Sequence, residues 1–327
     1  MICYSSYKIL KKMRMEDYFM PKRKRLKKRI RRSIKCIILL TLLVWGIHRV
    51  YYYFTNIDTA EAEAYSSVES ESDDLVEKEG KEDSSYEVPE KLRNSTDPVI
   101  QELINLSSKH TAAQKILNNV NAYPEELLKL AAKKEETLSF VADYVDHSEE
   151  TGDSKISVKK DYSKGKIPLF IQWDKRWGYY KYGNDYMAIN GCGPTSLAMV
   201  IVGLKGDTDI NPKVVAEYSN ENGYLVDGVG TSWTLMSNGA KHFGLRSEEI
   251  PLDPKAIKTA LKSGNPIIAS MNPGQFTDSG HFIVLSGLTE DGKVIVNDPD
   301  SKMRSNKTWD IDVFMNETAN LWEFSVE

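Results

Sequence analysis

Hydrophobic positions along this 327-residue chain change their spacing from block to block. The first block is continuous: PKRKRLKKRIRRSIK, from Pro21, runs into CIILLTLLVWGI, Cys36 to Ile47, and then into HRVYYYF. Those twelve apolar residues would cover about 18 Å as a helix, against a hydrocarbon layer of about 30 Å. An anchor therefore needs 34–54, with Arg49 snorkelling outward and Tyr51, Tyr52 and Tyr53 at headgroup depth. Lysines and arginines resist translocation, which predicts a basic cytoplasmic tail over 1–33 and an outward-facing remainder at the cell membrane. A cleaved signal peptide and a buried core helix are the rival readings. The small-x-small sequence Ala62-Glu63-Ala64 lies some fifteen residues beyond the apolar run and is acidic.

The pattern then vanishes. Residues 55–88 are acidic and Ser-rich, with too few apolar positions to offset the entropy of ordering them, and predict a disordered linker. Helical spacing returns over 89–150. Asp97-Pro98 reads as an N-cap and first-turn proline, followed by Ile100, Leu103, Ile104 and Leu106. Tyr123-Pro124-Glu125-Glu126 opens a helix carrying Leu127, Leu128 and Leu130, and 135–145 predicts a further one with Leu138, Val141 and Val145. A small helical segment packed on the C-terminal half of the chain is the expectation, and a pro-segment covering an active site is the alternative.

Over 160–327 short strand and helix patterns alternate, an α+β arrangement. Ile167-Pro168-Leu169-Phe170-Ile171-Gln172-Trp173-Asp174 reads as a short strand. Asn211-Pro212 and Asp253-Pro254 open helices closing near Gly223 and Gly264, and 233–243 predicts a helix ended by Gly244. Pro266-Ile267-Ile268-Ala269-Ser270 is a buried-strand pattern; Phe282-Ile283-Val284-Leu285 and Lys293-Val294-Ile295-Val296 form a hairpin about Glu290-Asp291-Gly292.

Charge sharpens the division. The chain holds 43 Lys+Arg and 47 Asp+Glu, net −4, yet residues 1–35 alone carry 14 basic and 2 acidic side chains, leaving −16 for the remainder. A basic run abutting an apolar one, with an acidic remainder, speaks for a membrane partner through 34–54 and against nucleic acid. With 41% hydrophobic residues the chain is neither wholly disordered nor collagen-like, and three cysteines make no disulfide scaffold. One cysteine beyond the anchor and no HExxH spacing disfavour a zinc enzyme; no metal or cofactor is expected.

The chemistry gathers at three places. Cys192 lies between Gly191 and Gly193, directly before Pro194 and a helix-forming apolar run. A cysteine at a helix N-terminus meets unpaired N–H groups and the positive end of the helix dipole, which favour the thiolate. The flanking glycines leave room for a substrate backbone. A buried small hydrophobe is the bland alternative. Cys3 falls in the cytoplasmic tail and Cys36 in the apolar segment, so neither would reach Cys192. Among the histidines, His281 comes after the loop 272–280, ending in Gly280, and begins an apolar strand. A flexible loop there would leave the ring partly open to solvent. Asp298 closes the returning strand, where a carboxylate could orient that ring. Register decides the matter. A tight Asp291-Gly292 turn pairs 298 with 285, about 13 Å from His281, so a wider loop or bulge that brings 298 opposite 283 is needed.

GCGPTSLAMV, SGHFIVLSGL and VIVNDP together resemble the papain-fold cysteine peptidases, in particular the group similar to bacteriocin leader (double-glycine) peptidases. The resemblance covers about 166–327. It implies a papain-like fold, a helix-borne nucleophile at Cys192, His281 as general base and acid, and Asp298 as orienting residue. The oxyanion glutamine of leader peptidases stands six residues before the cysteine, where this chain has Tyr186. Gln172 is the best candidate, which would make 174–189 an inserted loop. Trp173, Trp177 and Trp233 are candidates for a substrate cleft with Gly191 and Gly280, core packing being the commoner aromatic role. The implied activity is cleavage of a peptide or amide bond in a peptide or protein substrate. An inactive relative that binds peptides or cell-wall fragments, or an acyltransferase using the same triad, are the alternatives.

Overall fold

The computed structural model describes residues 86–147 and 156–327, all within one unit, Glu79–Glu327. The basic tail, the 34–54 anchor, Cys3, Cys36 and the linker up to 85 lie outside the described residues. Among the described residues no helix is long and apolar enough to cross a membrane.

The helical segment obeys its local signals. Asp97 caps α1 (Pro98–Ser107) by accepting the Val99 N–H at 2.8 Å, a contact of about 1 kcal/mol. α2 (Thr111–Asn118) and α3 (Glu125–Lys133) come next, and the apolar faces of the three helices bury Leu103, Ile116, Leu117 and Leu127. The helix expected over 135–145 is shorter: a 3-10 turn, Glu135–Thr137, leads into α4 (Leu138–Ala142). The Thr137 hydroxyl explains the break, since it donates to the carbonyls of Lys134 at 2.7 Å and Leu130 at 3.2 Å and so competes with a regular helix start. Tyr86 packs on the same core, so 86–88 belong to the helical segment rather than to the linker expected over 55–88.

The remaining chain forms the hairpin β1 (Lys181–Tyr182) and β2 (Asp185–Tyr186), then α5 (Met187–Asn190), α6 (Cys192–Lys205) and α7 (Pro212–Glu221). A second hairpin, β3 (Leu225–Val226) and β4 (Gly230–Thr231), precedes β5 (Leu245–Glu249), α8 (Pro254–Lys262), β6 (Ile267–Met271), β7 (His281–Leu288) and β8 (Val294–Asn297). α9 (Lys302–Ser305), β9 (Thr308–Trp309), α10 (Ile311–Glu317) and β10 (Thr318–Val326) complete it. Six strands pair antiparallel in the order β5-β10-β6-β7-β8-β9.

Strand alternation gives this sheet two buried faces. Ile268, Phe282, Val284, Trp322 and Phe324 share a core with α6, which is apolar nearly all round. Their neighbours Ile267, Ala269, Ile283, Leu285 and Leu321 pack with Ile257 and Leu261 of α8. Each of the large aliphatic and phenylalanine side chains contributes about 1.5–3 kcal/mol on full burial, which pins the register around the site.

Three local expectations change. The strand expected over 167–174 is an unpaired extended segment, held instead by Asn297, whose Nδ2 donates to the carbonyls of Ile167 and Pro168, both at 3.0 Å. The 233–243 helix is a wide π turn, Leu235–Gly239, followed by Ala240–His242, with Gly239 leaving room for Leu235. The 174–189 stretch is no plain loop, since it contains β1, β2 and the start of α5.

Candidate active site

Cys192 is the first residue of α6, with Gly191 at the N-cap and Pro194 in the first turn, where a missing N–H leaves no donor unsatisfied. The second turn is tied to the sheet: Ser196 Oγ donates to the Phe282 carbonyl at 3.3 Å, next to His281 at the head of β7.

The hairpin supplies the required register through both devices. A five-residue connection, 289–293, replaces the tight turn, and a bulge between Leu285 and Gly287 moves the pairing once more, so Asn297 faces Val284 and Asp298 comes opposite 283. His281 Nε2 and Asp298 Oδ1 then lie 2.7 Å apart. Cys192 lies near enough to His281 to raise the pKa of the imidazole. With Nε2 facing Asp298, Nδ1 is the ring nitrogen left for sulfur.

The surroundings are tighter than expected. His281 is only 8% exposed and Asp298 not at all, while Cys192 is half-buried. The 272–280 loop is anchored rather than loose: Glu317 accepts the Asn272 N–H with its carbonyl at 2.7 Å and the Gln275 N–H with its carboxylate at 2.8 Å, and the Phe276 ring lies tilted against Trp309. The glycines also differ from expectation. A Cβ on Gly191 would lie 2.4 Å from the Met187 carbonyl, and one on Gly193 would lie 2.6 Å from the Thr231 side chain, so these glycines admit the protein's own chain. Gly280, by contrast, borders open space.

Gln172 reaches the site by a route the strand reading did not foresee. Its backbone N–H donates to the Pro299 carbonyl at 2.7 Å, beside Asp298, and Nε2 donates to the Ala188 and Ile189 carbonyls at 2.9 and 3.2 Å, just ahead of Gly191. Both amide hydrogens are thereby spent, and the buried Oε1 has no partner among the described residues. Tyr186 is buried in the helical segment's core, its hydroxyl 3.1 Å from that of Tyr144. Trp173 and Trp177 are core residues, Trp173 bonded through Nε1 to the Asp300 carbonyl at 3.1 Å. Trp233 is 47% exposed, edge-on to Trp322.

Residues 164–326 match the family model described as "Peptidase_C39 like family". This segment belongs to that family. Within the Peptidase_C39 like domain the fold is the α+β papain-like one, and the family is one of cysteine peptidases. Two solved structures are similar. The peptidase domain of Streptococcus ComA, a bi-functional ABC transporter involved in a quorum sensing pathway, is 19% identical over 42% of this chain and 93% of that one, TM-score 0.34. A double glycine motif protease from an AMS/PCAT transporter, in complex with the leader peptide, is 21% identical over 50% and 95%, TM-score 0.31. No curated protein matches the chain.

Arg304 is the member of this candidate site that sequence reasoning missed. Its Nε donates to Asp298 Oδ2 at 2.6 Å, opposite the oxygen that His281 holds, and the Asp300 N–H donates to Oδ1 at 2.8 Å. Burial by itself pushes the Asp298 carboxyl up, but the charges and hydrogen bonds of His281 and Arg304 outweigh it and hold the group down to about 2. Burial likewise lowers His281, and the Asp298 carboxylate together with Cys192 outweighs it, pushing the imidazole up to about 10. The two shifts express one shared ion pair. The only local signal for Arg304 was Ser301 three residues before it, an N-cap pattern whose Oγ accepts the Arg304 N–H at 3.1 Å.

Proposed function

We propose that the chain is a membrane-tethered cysteine peptidase, its catalytic domain outside the cell, that hydrolyses peptide or amide bonds through a thioester on Cys192. The observation that carries the reading is the buried pair of His281 and Asp298, 2.7 Å apart, with the Cys192 sulfur at the start of α6 within electrostatic reach of the imidazole. His281 takes the thiol proton, giving a thiolate and an imidazolium whose charge the Asp298 carboxylate balances. The sulfur attacks the carbonyl carbon, and the Cys192 backbone N–H receives the developing oxyanion. Gln172 adds a second donor by turning one hydrogen away from the Ile189 carbonyl, the longer of its two bonds. The imidazolium protonates the leaving amine; His281 then deprotonates water, which cleaves the thioester and returns the thiol.

The tether rests on the basic run before 34–54 and its charge contrast with the rest of the chain. External protease on intact cells should remove a C-terminal epitope; a protected epitope would refute the orientation. For the chemistry, full-length protein in detergent is treated with an electrophilic amide analogue and with a mixed peptide library whose products are read by mass. Wild type should be labelled at Cys192 and release products, and Cys192→Ala should do neither. Equal labelling and hydrolysis by Cys192→Ala would sink the proposal.

A further inference from the structure

The loop that carries Asp298 is held from the other side by the helical segment. Glu136 accepts three hydrogen bonds there: from Ser301 Oγ at 2.6 Å, the Lys302 N–H at 2.8 Å and the Met303 N–H at 3.1 Å. Lys134 donates to the Asp300 carbonyl at 3.1 Å and pairs with the Asp300 carboxylate. The 3-10 turn bearing Glu136 is itself braced by the buried Thr137 hydroxyl.

These bonds continue inward without a gap. Ser301 Oγ gives its hydrogen to Glu136 and accepts the Arg304 N–H, so one side chain links the helical segment to the backbone of the arginine that grips Asp298. Glu136 also satisfies two first-turn N–H groups of α9, the element that carries Arg304. The charged groups around Asp298 are His281 and Arg304, with Asp300, Lys134 and Glu136 one step out, while His281 faces Asp298 and Cys192.

We propose that Glu136 is a positioning residue for the reaction: it fixes α9 so that Arg304 holds the Asp298 carboxylate, and through it the His281 ring, in line with Cys192. This rests on the cysteine peptidase reading. It makes the helical segment a working part of the site rather than a cover for it. A small displacement of the ring is enough to matter, since about 1 Å of misplacement in a reacting group costs on the order of a hundredfold in rate.

The test uses the full chain in detergent, with Glu136→Ala, Glu136→Gln and the control Lys133→Ala, whose ion pair with Asp278 is exposed on both sides. Two readouts are taken: kcat and KM on a peptide released by wild type, and the rate of Cys192 alkylation by iodoacetamide across pH, which needs no substrate. Circular dichroism confirms that each variant is folded at the assay temperature. Glu136→Ala should lower kcat roughly tenfold to a hundredfold with KM little changed. Its alkylation profile should also shift, because a loosened Asp298 supports the His281 imidazolium less well. Glu136→Gln keeps one acceptor oxygen and should recover part of both effects, and Lys133→Ala should match wild type. The proposal is overturned if folded Glu136→Ala keeps wild-type kcat and alkylation profile, or changes only KM. If Cys192→Ala retained wild-type hydrolysis, the peptidase reading would fall instead, and the alkylation profile of Glu136→Ala would still report whether Glu136 orders the triad.

Discussion

Opposite charges meet in two different settings in this protein. Around Asp298 they are packed inside: its side chain is fully buried, that of His281 is 7% exposed and that of Arg304 24%. Along the rim of the helical segment, Lys115 reaches Asp143 at 3.1 Å and Asp146 at 2.7 Å, and the side chains of all three keep 38–70% of their surface exposed. The separations are alike, so distance does not distinguish the two sets. Solvent does. An exposed pair exchanges one good environment for another and is worth about 0–1 kcal/mol. A buried carboxylate has lost its water, and removing one partner strands the rest at a cost of about 3–5 kcal/mol. What makes the inner set tenable is the number of donors on each oxygen: His281 and the Asp300 N–H on one, Arg304 on the other.

The largest effect that this contrast predicts belongs to Asp298→Asn. The amide keeps the shape but removes the charge that both His281 and Arg304 require. Peptidase activity should fall by about 10³–10⁴, and stability to denaturant by about 3–5 kcal/mol. The pH dependence has a definite sign. In wild type the folded His281 pKa is raised from 6.5 to about 10, so its stabilisation is full below about pH 6.5 and is lost as pH climbs through 10. Without the carboxylate the larger raising influence is gone, leaving only that of Cys192, while burial still opposes the imidazolium. The alkaline decline in stability between those two values should therefore disappear in Asp298→Asn. An unchanged alkaline limb would show that His281 and Asp298 do not share an ion pair.

Arg304→Gln should come next. The guanidinium is partly open to water, so its loss costs less than that of Asp298, and His281 still holds one carboxylate oxygen. The clearest readout is in acid. Asp298 is held down to about 2 against an ordinary value of 3.8, so its stabilisation is present above about pH 3.8 and is lost as pH falls through 2. Removing Arg304 raises the folded value, and acid unfolding, followed by tryptophan fluorescence, should move to higher pH. A midpoint that does not move would place Arg304 outside the group that sustains the charge of Asp298.

The same contrast explains what could be read from the residues alone. Helices announced by a capping side chain stand where expected, because Asp97, Asn211 and Asp253 each accept N–H groups within three residues of themselves. The triad candidates lie in a recognisable motif setting, and the need for a wider loop or a bulge between His281 and Asp298 followed from counting strand residues. Arg304 and Glu136 were not legible. Their importance arises from contacts made on folding, and Glu136 meets Ser301 across 165 positions with no periodicity to mark it. Gln172 shows the opposite error: its neighbours have a strand-like pattern, yet side-chain and backbone bonds from 297 and 299 replace a strand partner.

The smallest effect is expected on the rim, and it is the one that can break the comparison. Lys115→Met removes a cation whose pKa is raised by its bonds to Asp146 and Asp143, an indication of real attraction. Its side chain is nevertheless 44% exposed, and water and salt screen what it gains. The variant should lose under about 1 kcal/mol, a shift of roughly 2–4 °C or less in Tm for a domain of this size. The difference should shrink further when ionic strength is raised to about 0.5 M, and peptidase activity should stay at the wild-type level. If Lys115→Met instead lost activity to the degree expected of Glu136→Ala, the rim contacts would be holding the catalytic residues too. Burial would then no longer separate the ion pairs that serve the chemistry from those that only decorate the surface.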